Sequence, residues 1–308
     1  MRDITLKPTT LRSATATGAI LLPPETLAKV RAGAIEKGDV AETARIAGLM
    51  AVKRVPDLLP HCHPINVLQS EVRATIGDDR ITVEAEVQTV ASTGVEMEAL
   101  SAVSVALLTV YDMLKAYAPA EAMVITDTRL LKKRGGKTQF GRRAAGARAA
   151  VVVLSDTVAS GTKPDTAGAS VRDGLGRAGF AVDGYEVLPD EPETLRSRLE
   201  YWLAQRVELI VTVGGTGLGP RDLTVATVQP FLDLELPGFM EAARAFGQAR
   251  TPYAMLSRGI AGLSGPTFIA TFPGSRKGAE ETLAAVLPGL VHLIDVCRIA
   301  RPHEGGYQ

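Results

Sequence analysis

Cysteine is scarce in this sequence. Among 308 residues there are two, Cys62 and Cys297, and they stand far apart along the chain. A disulfide framework is therefore excluded, and we expect a protein of the reducing cytoplasm. Histidine is also rare, with four residues in the whole chain. Any local concentration of histidine is therefore informative.

Net charge is absent as well. The 34 Lys and Arg residues equal the 34 Asp and Glu residues, so no long-range field would attract nucleic acid or anionic lipid. The first residues form no apolar signal segment, and we find no later run that reaches the roughly 20 apolar residues of a membrane helix. We expect neither a nucleic-acid nor a membrane partner.

The sequence contains enough hydrophobic residues to form the cores of two domains. Hydrophobic residues make up 46% of the chain, and its length exceeds that at which one core usually stops growing. Periodicity is lost between Thr138 and Arg148, where the residues become small and basic. We predict a first domain over 1–140, a linker over 141–147 and a second domain over 148–308.

The first half has the pattern of an α+β domain with helices on one face of an antiparallel sheet. Asp39 and Glu42 have capping-box spacing before a helix that reaches Val55. Other predicted elements are strands Val67–Ile76 and Arg80–Val90, a helix Val95–Tyr117 and a strand Met123–Leu131.

The second half alternates strands and helices. Its predicted elements are strands Ala150–Leu154, Gly184–Leu188 and Glu208–Val213, with helices Val171–Ala178 and Glu193–Gln205 between them. Continuously apolar strands in a βαβαβ order indicate a doubly wound α/β sheet covered by helices on both faces.

One apolar helix of the first half carries a polar stripe. Its members fall within an arc of about 140°; they are Glu98, Ser101, Ser104, Thr109, Asp112 and Lys115. Taken alone, Asp112 and Lys115 are more simply explained as a solvated i,i+3 ion pair. Glu96 has a structural explanation too, because Thr93 and Glu96 have the spacing of a capping box.

Two other segments attract attention. His61-Cys62-His63-Pro64 concentrates half of the histidines, yet it makes a poor zinc site because no second ligand cluster exists in this half. It is either a ligand-binding loop with titratable imidazoles or a solvated turn fixed by prolines. The run from Lys132 to Lys137 is either a phosphate-binding loop with two glycines or a solvated charged loop.

These segments together resemble the cyclic pyranopterin monophosphate synthase (MoaC) family. The matching blocks are 37–40, 43–48, 57–64, 93–100, 110–113 with Lys115, and 135–137. The resemblance implies a ferredoxin-like α+β fold, a hexamer with active sites at subunit interfaces, and conversion of a cyclic guanosine triphosphate derivative to cyclic pyranopterin monophosphate.

The same resemblance implies roles for individual residues. Asp112 and Lys115 would be catalytic, and Lys37 would be a second catalytic amine from a neighbouring subunit. The other implied pocket residues bind substrate, with the two basic ones on phosphate; they are Arg12, His61, Cys62, His63, Glu96, Met97, Glu98 and Lys137.

In the second half a strand runs into Gly214-Gly215-Thr216-Gly217, a geometry that exposes backbone N–H groups to an anion. A tight turn is the commoner meaning of such glycines. Asp190 and Asp222 also follow predicted strands, where carboxylates can hold Mg²⁺ against phosphates, although surface aspartates are common there.

The order of these segments, with Leu154-Ser155-Asp156 and Phe272-Pro273-Gly274-Ser275, resembles the MogA/MoaB family. That resemblance implies a trimer and transfer of AMP from Mg-ATP to molybdopterin, with Asp190 and Asp222 as functional carboxylates and Ser155 in the site. One departure is Val225-Ala226, where many active relatives have Pro-Glu. A non-catalytic molybdopterin-binding or trimerising module is therefore the alternative, and an oxidoreductase is disfavoured because no dinucleotide fingerprint is present.

Overall fold

Two units with separate hydrophobic cores form the chain in a computed structural model that describes residues 1–140 and 143–298. They comprise Met1–Phe140 and Gly141–Gln308. Residues 141 and 142 of the predicted linker and 299–308 of the predicted second domain lie outside the described residues. Ala144 and Ala147, also in the predicted linker, are buried in the second core, and the Ala144 N–H donates to Ala178 O.

The first unit has the element order βαββαβ once its short helices are set aside. Its strands are β1 (Thr10–Leu21), β2 (Gln69–Ile76), β3 (Arg80–Ala91) and β4 (Val124–Arg134). Its helices are α1 (Pro24–Arg31), α2 (Val40–Val52), α3 (Val55–Leu58), α4 (Glu96–Leu114) and α5 (Lys137–Phe140), with a 3₁₀ turn at Ala120–Ala122. The strands pair antiparallel in the order β2-β3-β1-β4.

Local sequence explains where α2 begins. The Asp39 carboxylate accepts the Glu42 N–H at 2.9 Å, which satisfies one of the free donors at the helix start. The reciprocal half of the predicted capping box does not form, because the Glu42 carboxylate pairs with Arg45 instead. Asp39 is thus a simple N-cap.

The central helix of the first unit is α4, which packs across β1 and β3. Val103, Leu107 and Val110 on its inner side are fully buried. The helix ends at Leu114, earlier than predicted, because the chain turns and the Tyr117 N–H donates to Leu114 O. Glu98 and Asp112 are therefore held near opposite ends of one rigid element.

Helix α4 also corrects the prediction that no run is long and apolar enough to cross a membrane. Within the described residues it passes that test by length and composition, with 50% of the tested window buried inside the protein. A helix at the core of a folded unit passes the same test, so this finding is weak evidence for a membrane span.

The second unit is built on a six-stranded sheet in the order β6-β5-β7-β10-β9-β8. Its strands are β5 (Arg148–Leu154), β6 (Ala181–Leu188), β7 (Leu209–Val213), β8 (Leu234–Glu235), β9 (Ala261–Ser264) and β10 (Thr267–Phe272). Its helices are α6 (Asp156–Ala159), α7 (Ala167–Arg177), α8 (Pro192–Ala204), α9 (Thr224–Val228), α10 (Pro237–Gln248) and α11 (Arg276–Arg298), with 3₁₀ turns at Gln229–Phe231 and Ala254–Leu256.

Both faces of this second sheet are covered. Along β5, Val151 and Val153 pack with α7, α10 and α11, whereas Val152 packs with α8 and α9. Strands buried on both faces need apolar residues at every position, which explains the continuous apolar runs. Strands β6, β5, β7 and β10 are parallel, so their carboxyl ends lie at one edge, where open α/β sheets bind ligands.

Candidate active sites

The first cluster of charged side chains lies at the C-terminal end of α4. The Asp112 carboxylate contacts Lys115 Nζ at 2.7 Å and Lys37 Nζ at 2.7 Å, and Lys37 also donates to the Asp112 backbone oxygen at 2.8 Å. Lys37 comes from the loop before α2 of the same chain, so a contribution from a neighbouring subunit is not needed to bring it to Asp112. The structure thus joins the three predicted catalytic residues.

The two ammonium groups fix the charge of this cluster. Hydrogen bonds from Lys115 and then Lys37 lower the pKa of Asp112 to about 2. Its carboxylate in turn raises the pKa of Lys115 above the ordinary lysine value. At neutral pH Asp112 is therefore an anion, and Lys115 keeps its proton.

A second cluster lies at the N-terminal end of α4. Glu96 pairs with Lys133 of β4 at 3.1 Å, and the Arg12 side chain of β1 lies against Gly136. Gly136 has φ of +60°, a conformation that favours glycine, and the Arg12 guanidinium occupies the space that a Cβ would take. Burial lowers the pKa of Arg12, while Glu96 counteracts that shift. A guanidinium held partly out of water and near its counter-ion is suited to an anionic ligand.

Helix α4 places Glu98 in this second cluster too. Glu98 is 3% exposed, and its burial raises the pKa of the carboxyl group, with a smaller contribution from Glu96. The Cys62 thiol also has a raised pKa because of burial and the nearby Glu98 charge. Cys62 of the histidine loop is therefore close enough to Glu98 for that charge to influence its thiol.

The remaining predicted residues of the first unit differ in exposure. His61 is exposed, His63 is half-buried and Met97 is exposed. Lys137 is the first residue of α5, directly after Gly136. The predicted capping box at Thr93 does not form, because Val95 is the N-cap and the helix start has no side-chain cap. Glu96 is consequently available for its ion pair with Lys133.

The two clusters are far apart within one chain. Fourteen residues separate Glu98 from Asp112, which at helical rise corresponds to about 21 Å along α4. The residues predicted for one pocket therefore form two separate clusters within one chain. The sequence analysis assigned no individual role to Lys133. Its position next to Arg134 and the two glycines could have indicated that it belongs to the site.

The second unit has a cavity of about 440 Å³ at the carboxyl ends of its parallel strands. Five predicted residues line it: Ser155, Asp190, Gly214, Gly215 and Asp222. Thr216 and Gly217 do not belong to the lining. Their carbonyl oxygens instead accept from the Arg258 N–H at 3.0 Å and from Arg258 Nε at 2.7 Å. These two residues thus fix the loop through their hydrogen bonds with Arg258.

Glycine is required at position 214. Its φ is +112°, and a Cβ there would overlap the carbonyl oxygen of Leu154 at the end of β5. Because β7 and β5 approach each other closely, backbone atoms of the loop that follows β7 line the cavity. A backbone lining of this kind allows N–H groups to reach a phosphate.

Two further charged residues line this cavity, Asp165 and Arg221, and Asp156 contacts two of the lining residues; all three were missing from the predicted site. Asp156 and Asp190 accept each other's backbone N–H groups at 3.2 and 3.0 Å, and Arg221 forms an ion pair with Asp156. Asp156 follows the end of a strand, as Asp190 does. This position in the sequence could have identified Asp156 as a residue near the site.

The charges of the cavity favour a cation between its carboxylates. Burial raises the pKa of Asp190, and the Asp156 and Asp222 charges raise it further. Among residues 1–140 and 143–298, no three His, Cys, Asp or Glu side chains converge on one metal position. Mg²⁺ commonly uses one or two protein carboxylates together with substrate phosphates, so Asp190 and Asp222 fit this type of site.

Comparisons with known proteins assign both units. Residues 1–136 match the MoaC family, and residues 150–292 match a family described as a probable molybdopterin binding domain. A bifunctional molybdenum cofactor biosynthesis protein from Chlorobaculum tepidum is 44% identical over 292 residues, which cover 95% of this chain and 92% of the relative. The corresponding protein from Synechococcus elongatus is 35% identical over 97% of both chains.

The chain is also similar to proteins that each match one unit. Cyclic pyranopterin monophosphate synthase 3 from Mycobacterium tuberculosis is 51% identical over 46% of this chain and 80% of the relative. A crystal structure of the molybdopterin biosynthesis enzyme MoaB from Thermus thermophilus is 44% identical, covers 49% of this chain and 95% of its own, and gives a TM-score of 0.45. The chain therefore belongs to the family of bifunctional molybdenum cofactor biosynthesis proteins, with a cyclic pyranopterin monophosphate synthase unit first and a MogA/MoaB-type unit second.

Proposed function

We propose that the first unit converts (8S)-3',8-cyclo-7,8-dihydroguanosine 5'-triphosphate to cyclic pyranopterin monophosphate and pyrophosphate, with Asp112, Lys115 and Lys37 as the catalytic group. The observation that carries this proposal is the carboxylate held between two ammonium groups at the end of α4. The βαββαβ order and the antiparallel sheet support a ferredoxin-like classification of this unit. We place the enzyme in the cytoplasm.

The charges of the catalytic group assign its roles. Lys115 is an ammonium ion at neutral pH, so it donates a proton to a ring nitrogen or oxygen when a substrate bond opens. Asp112 keeps that proton on Lys115 until substrate arrives and holds the amine in place. Lys37, on the other side of Asp112, is the second amine and neutralises charge that develops during cyclic phosphate formation.

The cluster at the other end of α4 is suited to the triphosphate and the base. Arg12 and Lys137 bind phosphate oxygens, and the desolvated guanidinium of Arg12 is the stronger anchor. Glu96, Met97 and Glu98 begin the helix beside His61, Cys62 and His63, and together they bind the purine-derived ring. Glu98 is buried and has little contact with water, so its carboxyl group can accept a hydrogen bond from an N–H of the substrate ring.

We propose that a complete active site combines the catalytic group of one copy with the binding cluster of another. The separation of about 21 Å along α4 supports this arrangement, because reacting atoms must come within about 3.5 Å of catalytic groups. A homo-oligomer is then required for activity, either a hexamer or an assembly of trimers.

The direct test is product formation by the purified chain. With the cyclic guanosine triphosphate derivative, mass spectrometry should detect cyclic pyranopterin monophosphate and pyrophosphate. Lys115→Ala should lower kcat by about 10²–10⁴, the range for loss of a general acid. Arg196→Ala, which breaks an i,i+3 ion pair in the second unit, is the matched control and should leave the rate unchanged. Full activity of Lys115→Ala would show that the ion pair between Lys115 and Asp112 is a surface contact without a catalytic role.

For the second unit we propose transfer of AMP from Mg-ATP to molybdopterin in the 440 Å³ cavity. Asp190 and Asp222 would hold Mg²⁺, which neutralises phosphate charge when bound. The Gly215 N–H of the glycine loop would contact a phosphate, and Arg221 can exchange Asp156 for a phosphate oxygen. Val225 is buried, and neither Val225 nor Ala226 lines the cavity.

The alternative for this unit is binding of molybdopterin without catalysis. Isothermal titration with Mg-ATP and molybdopterin, followed by mass spectrometry, separates the two functions. AMP attached to molybdopterin in wild type and its loss in Asp222→Asn would support the enzyme. Binding of both ligands without AMP transfer would leave the unit as a binding module.

A further inference from the structure

Lys37 stands in a short turn of the first unit, and that turn decides where its ammonium group can reach. The turn lies in the loop between α1 and α2, and the Gly38 N–H closes it by donating to Ile35 O at 3.0 Å. Glu36 and Lys37 are its central residues. Gly38 has φ of +95°, a conformation that favours glycine. The position of Lys37 therefore depends on the contacts that hold this turn against the rest of the unit.

The ion pair with Asp112 holds Lys37 only weakly. The side chains of Lys37 and Asp112 are 48% and 57% exposed. Ion pairs between exposed side chains gain little free energy, because water screens the charges and ordering a long side chain costs entropy. The contact between Lys37 Nζ and the Asp112 carboxylate at 2.7 Å thus requires a backbone that already places Lys37 near the end of α4.

Tyr117 provides a contact between this turn and the end of α4. Its hydroxyl oxygen accepts the N–H of Glu36, the residue directly before Lys37, at 3.0 Å. Tyr117 lies in the turn that ends α4, two residues after Lys115. The hydrogen bond from Glu36 to Tyr117 therefore joins the Lys37 turn to the segment that carries the other two groups of the proposed catalytic cluster.

Tyr117 is itself held on several sides. Its N–H donates to Leu114 O at 2.8 Å, and its carbonyl oxygen accepts from Thr26 Oγ1 of α1 at 3.0 Å. Thr26 is fully buried. The ring packs against the first core, and Lys29 Nζ lies 5.9 Å from the ring centre. The hydroxyl of a side chain fixed in this way is a rigid acceptor for the Glu36 N–H.

We propose that Tyr117 is a positioning residue of the first unit, whose hydroxyl holds the Glu36 N–H so that Lys37 reaches Asp112. The inference rests on the proposed catalytic role of Lys37. Tyr117 acts through Lys37 and takes no part in proton transfer itself. A displacement of about 1 Å in a catalytic group can cost about a hundredfold in rate, so the hydroxyl contributes to kcat from outside the ion-paired cluster.

Titration of the Asp112 carboxyl group in the full chain, followed by carbon-detected NMR, tests this assignment. Tyr117→Phe removes the hydroxyl and keeps the ring, and it should raise the midpoint of Asp112 part of the way to the midpoint of Lys37→Ala. In the Lys37→Ala background Tyr117→Phe should cause no further change, since the amine whose position it controls is gone. A general loosening of the fold would instead raise the midpoint in both backgrounds.

Product formation gives a second readout. Tyr117→Phe should lower kcat about tenfold, the effect of one hydrogen bond, and should cost less in the Lys37→Ala background than in wild type. Tyr201→Phe, the same substitution on α8 of the second unit, is the matched control. It should leave both the Asp112 midpoint and kcat of the synthase reaction unchanged.

The outcomes separate this inference from the proposed catalytic role of Lys37. An unchanged Asp112 midpoint in Tyr117→Phe would overturn the positioning role, as would an equal shift with and without Lys37. An unchanged kcat in Tyr117→Phe would also overturn it if Lys37→Ala is inactive. Full activity of Lys37→Ala, together with a shifted midpoint in Tyr117→Phe, would remove Lys37 from the catalytic group and keep Tyr117 as the residue that holds it.

Discussion

Asp112 is the residue whose environment is most sharply defined, because it contacts two ammonium groups at 2.7 Å. We expect its carboxyl group to titrate near pH 2 in the folded protein. The depressed pKa means that this stabilising contact is complete above the unfolded value of about 3.9 and is lost as the pH falls through the folded value.

Carbon-detected NMR of the side-chain carboxyl group measures this titration. Lys115→Ala should raise the midpoint toward the ordinary aspartate value, and Lys37→Ala should raise it by a smaller amount, because Lys115 is the larger cause. Arg45→Ala, which alters an ion pair on α2, should leave the midpoint in place. A midpoint near 4 in wild type would show that the cluster does not form in solution.

A second prediction at residue scale concerns pH dependence of the synthase reaction. Asp112 has a low pKa and Lys115 a raised one, so neither group changes charge between about pH 5 and pH 8 in the free enzyme. The profile of kcat/KM in that interval should therefore be the same in wild type and in Asp112→Glu. Appearance of a new ionisation in that variant would contradict the assignment of charges.

At the scale of single elements, the loop after β7 depends on Gly214. Gly214→Ala should destabilise the second unit by about 1–3 kcal/mol, because a positive φ and contact with the Leu154 carbonyl oxygen both oppose a side chain. Gly176→Ala in α7 is the control. A Cβ there meets nothing within 4 Å, and it should stabilise the unit by about 0.4–1 kcal/mol.

Differential scanning calorimetry of the full chain measures both glycine variants. The transition of the second unit should move down for Gly214→Ala and slightly up for Gly176→Ala, while that of the first unit stays unchanged. Equal stability of the two variants would mean that the loop relaxes without cost and is not fixed by its contact with β5.

Elements with strong local signals were predictable from sequence. Asp39 marks the start of α2 and alternation marks β2 and β3, because these signals are contained in a few neighbouring residues. The start of α7 was placed too late. Glycine and small residues there disfavour a helix, and the compensating contact is the Asp165 carboxylate accepting the Gly168 N–H at 2.9 Å. Such an interaction is visible only once side-chain positions are known.

The candidate site was predictable in chemistry but not in arrangement. Residue types and order identify the carboxylates, lysines and histidine loop. A shared stripe on α4, however, shows only that side chains have the same azimuth around the axis. It gives no indication that Glu98 and Asp112 are about 21 Å apart. Likewise, Asp156 and Arg221 become site residues only when the ends of β5, β6 and β7 meet at one edge.

At the scale of the whole molecule, the divided site of the first unit predicts complementation between inactive copies. Arg12→Ala and Lys115→Ala should each be inactive alone. Co-expressed and co-purified, they should regain about a quarter of wild-type activity, since a random assembly pairs one intact binding cluster with one intact catalytic group at that frequency.

The control for complementation uses two variants in the same cluster. Lys37→Ala with Lys115→Ala should regain nothing, because every catalytic group in the mixture carries one defect. Recovery in this pair, or none in the first, would contradict a site shared between copies.

The two units should also be separable in function. Each has its own core and its own cavity or cluster. Asp222→Asn should therefore abolish AMP transfer and leave pyranopterin formation intact, and Lys115→Ala should do the reverse. Assays of both reactions on the same preparations measure this. Loss of both activities in either variant would indicate that the units depend on one another.

The two functional ends of helix α4 determine how many active sites one defective copy inactivates in an oligomer. Because one end of the helix provides catalytic groups and the other provides binding groups, a copy that is defective at both ends damages two sites rather than one. A cell that expresses such an allele beside an equal amount of the normal one would keep about a quarter of its sites, not half. Defective alleles of this unit would therefore act in a partly dominant manner, although the protein is an enzyme and half the dose is often sufficient.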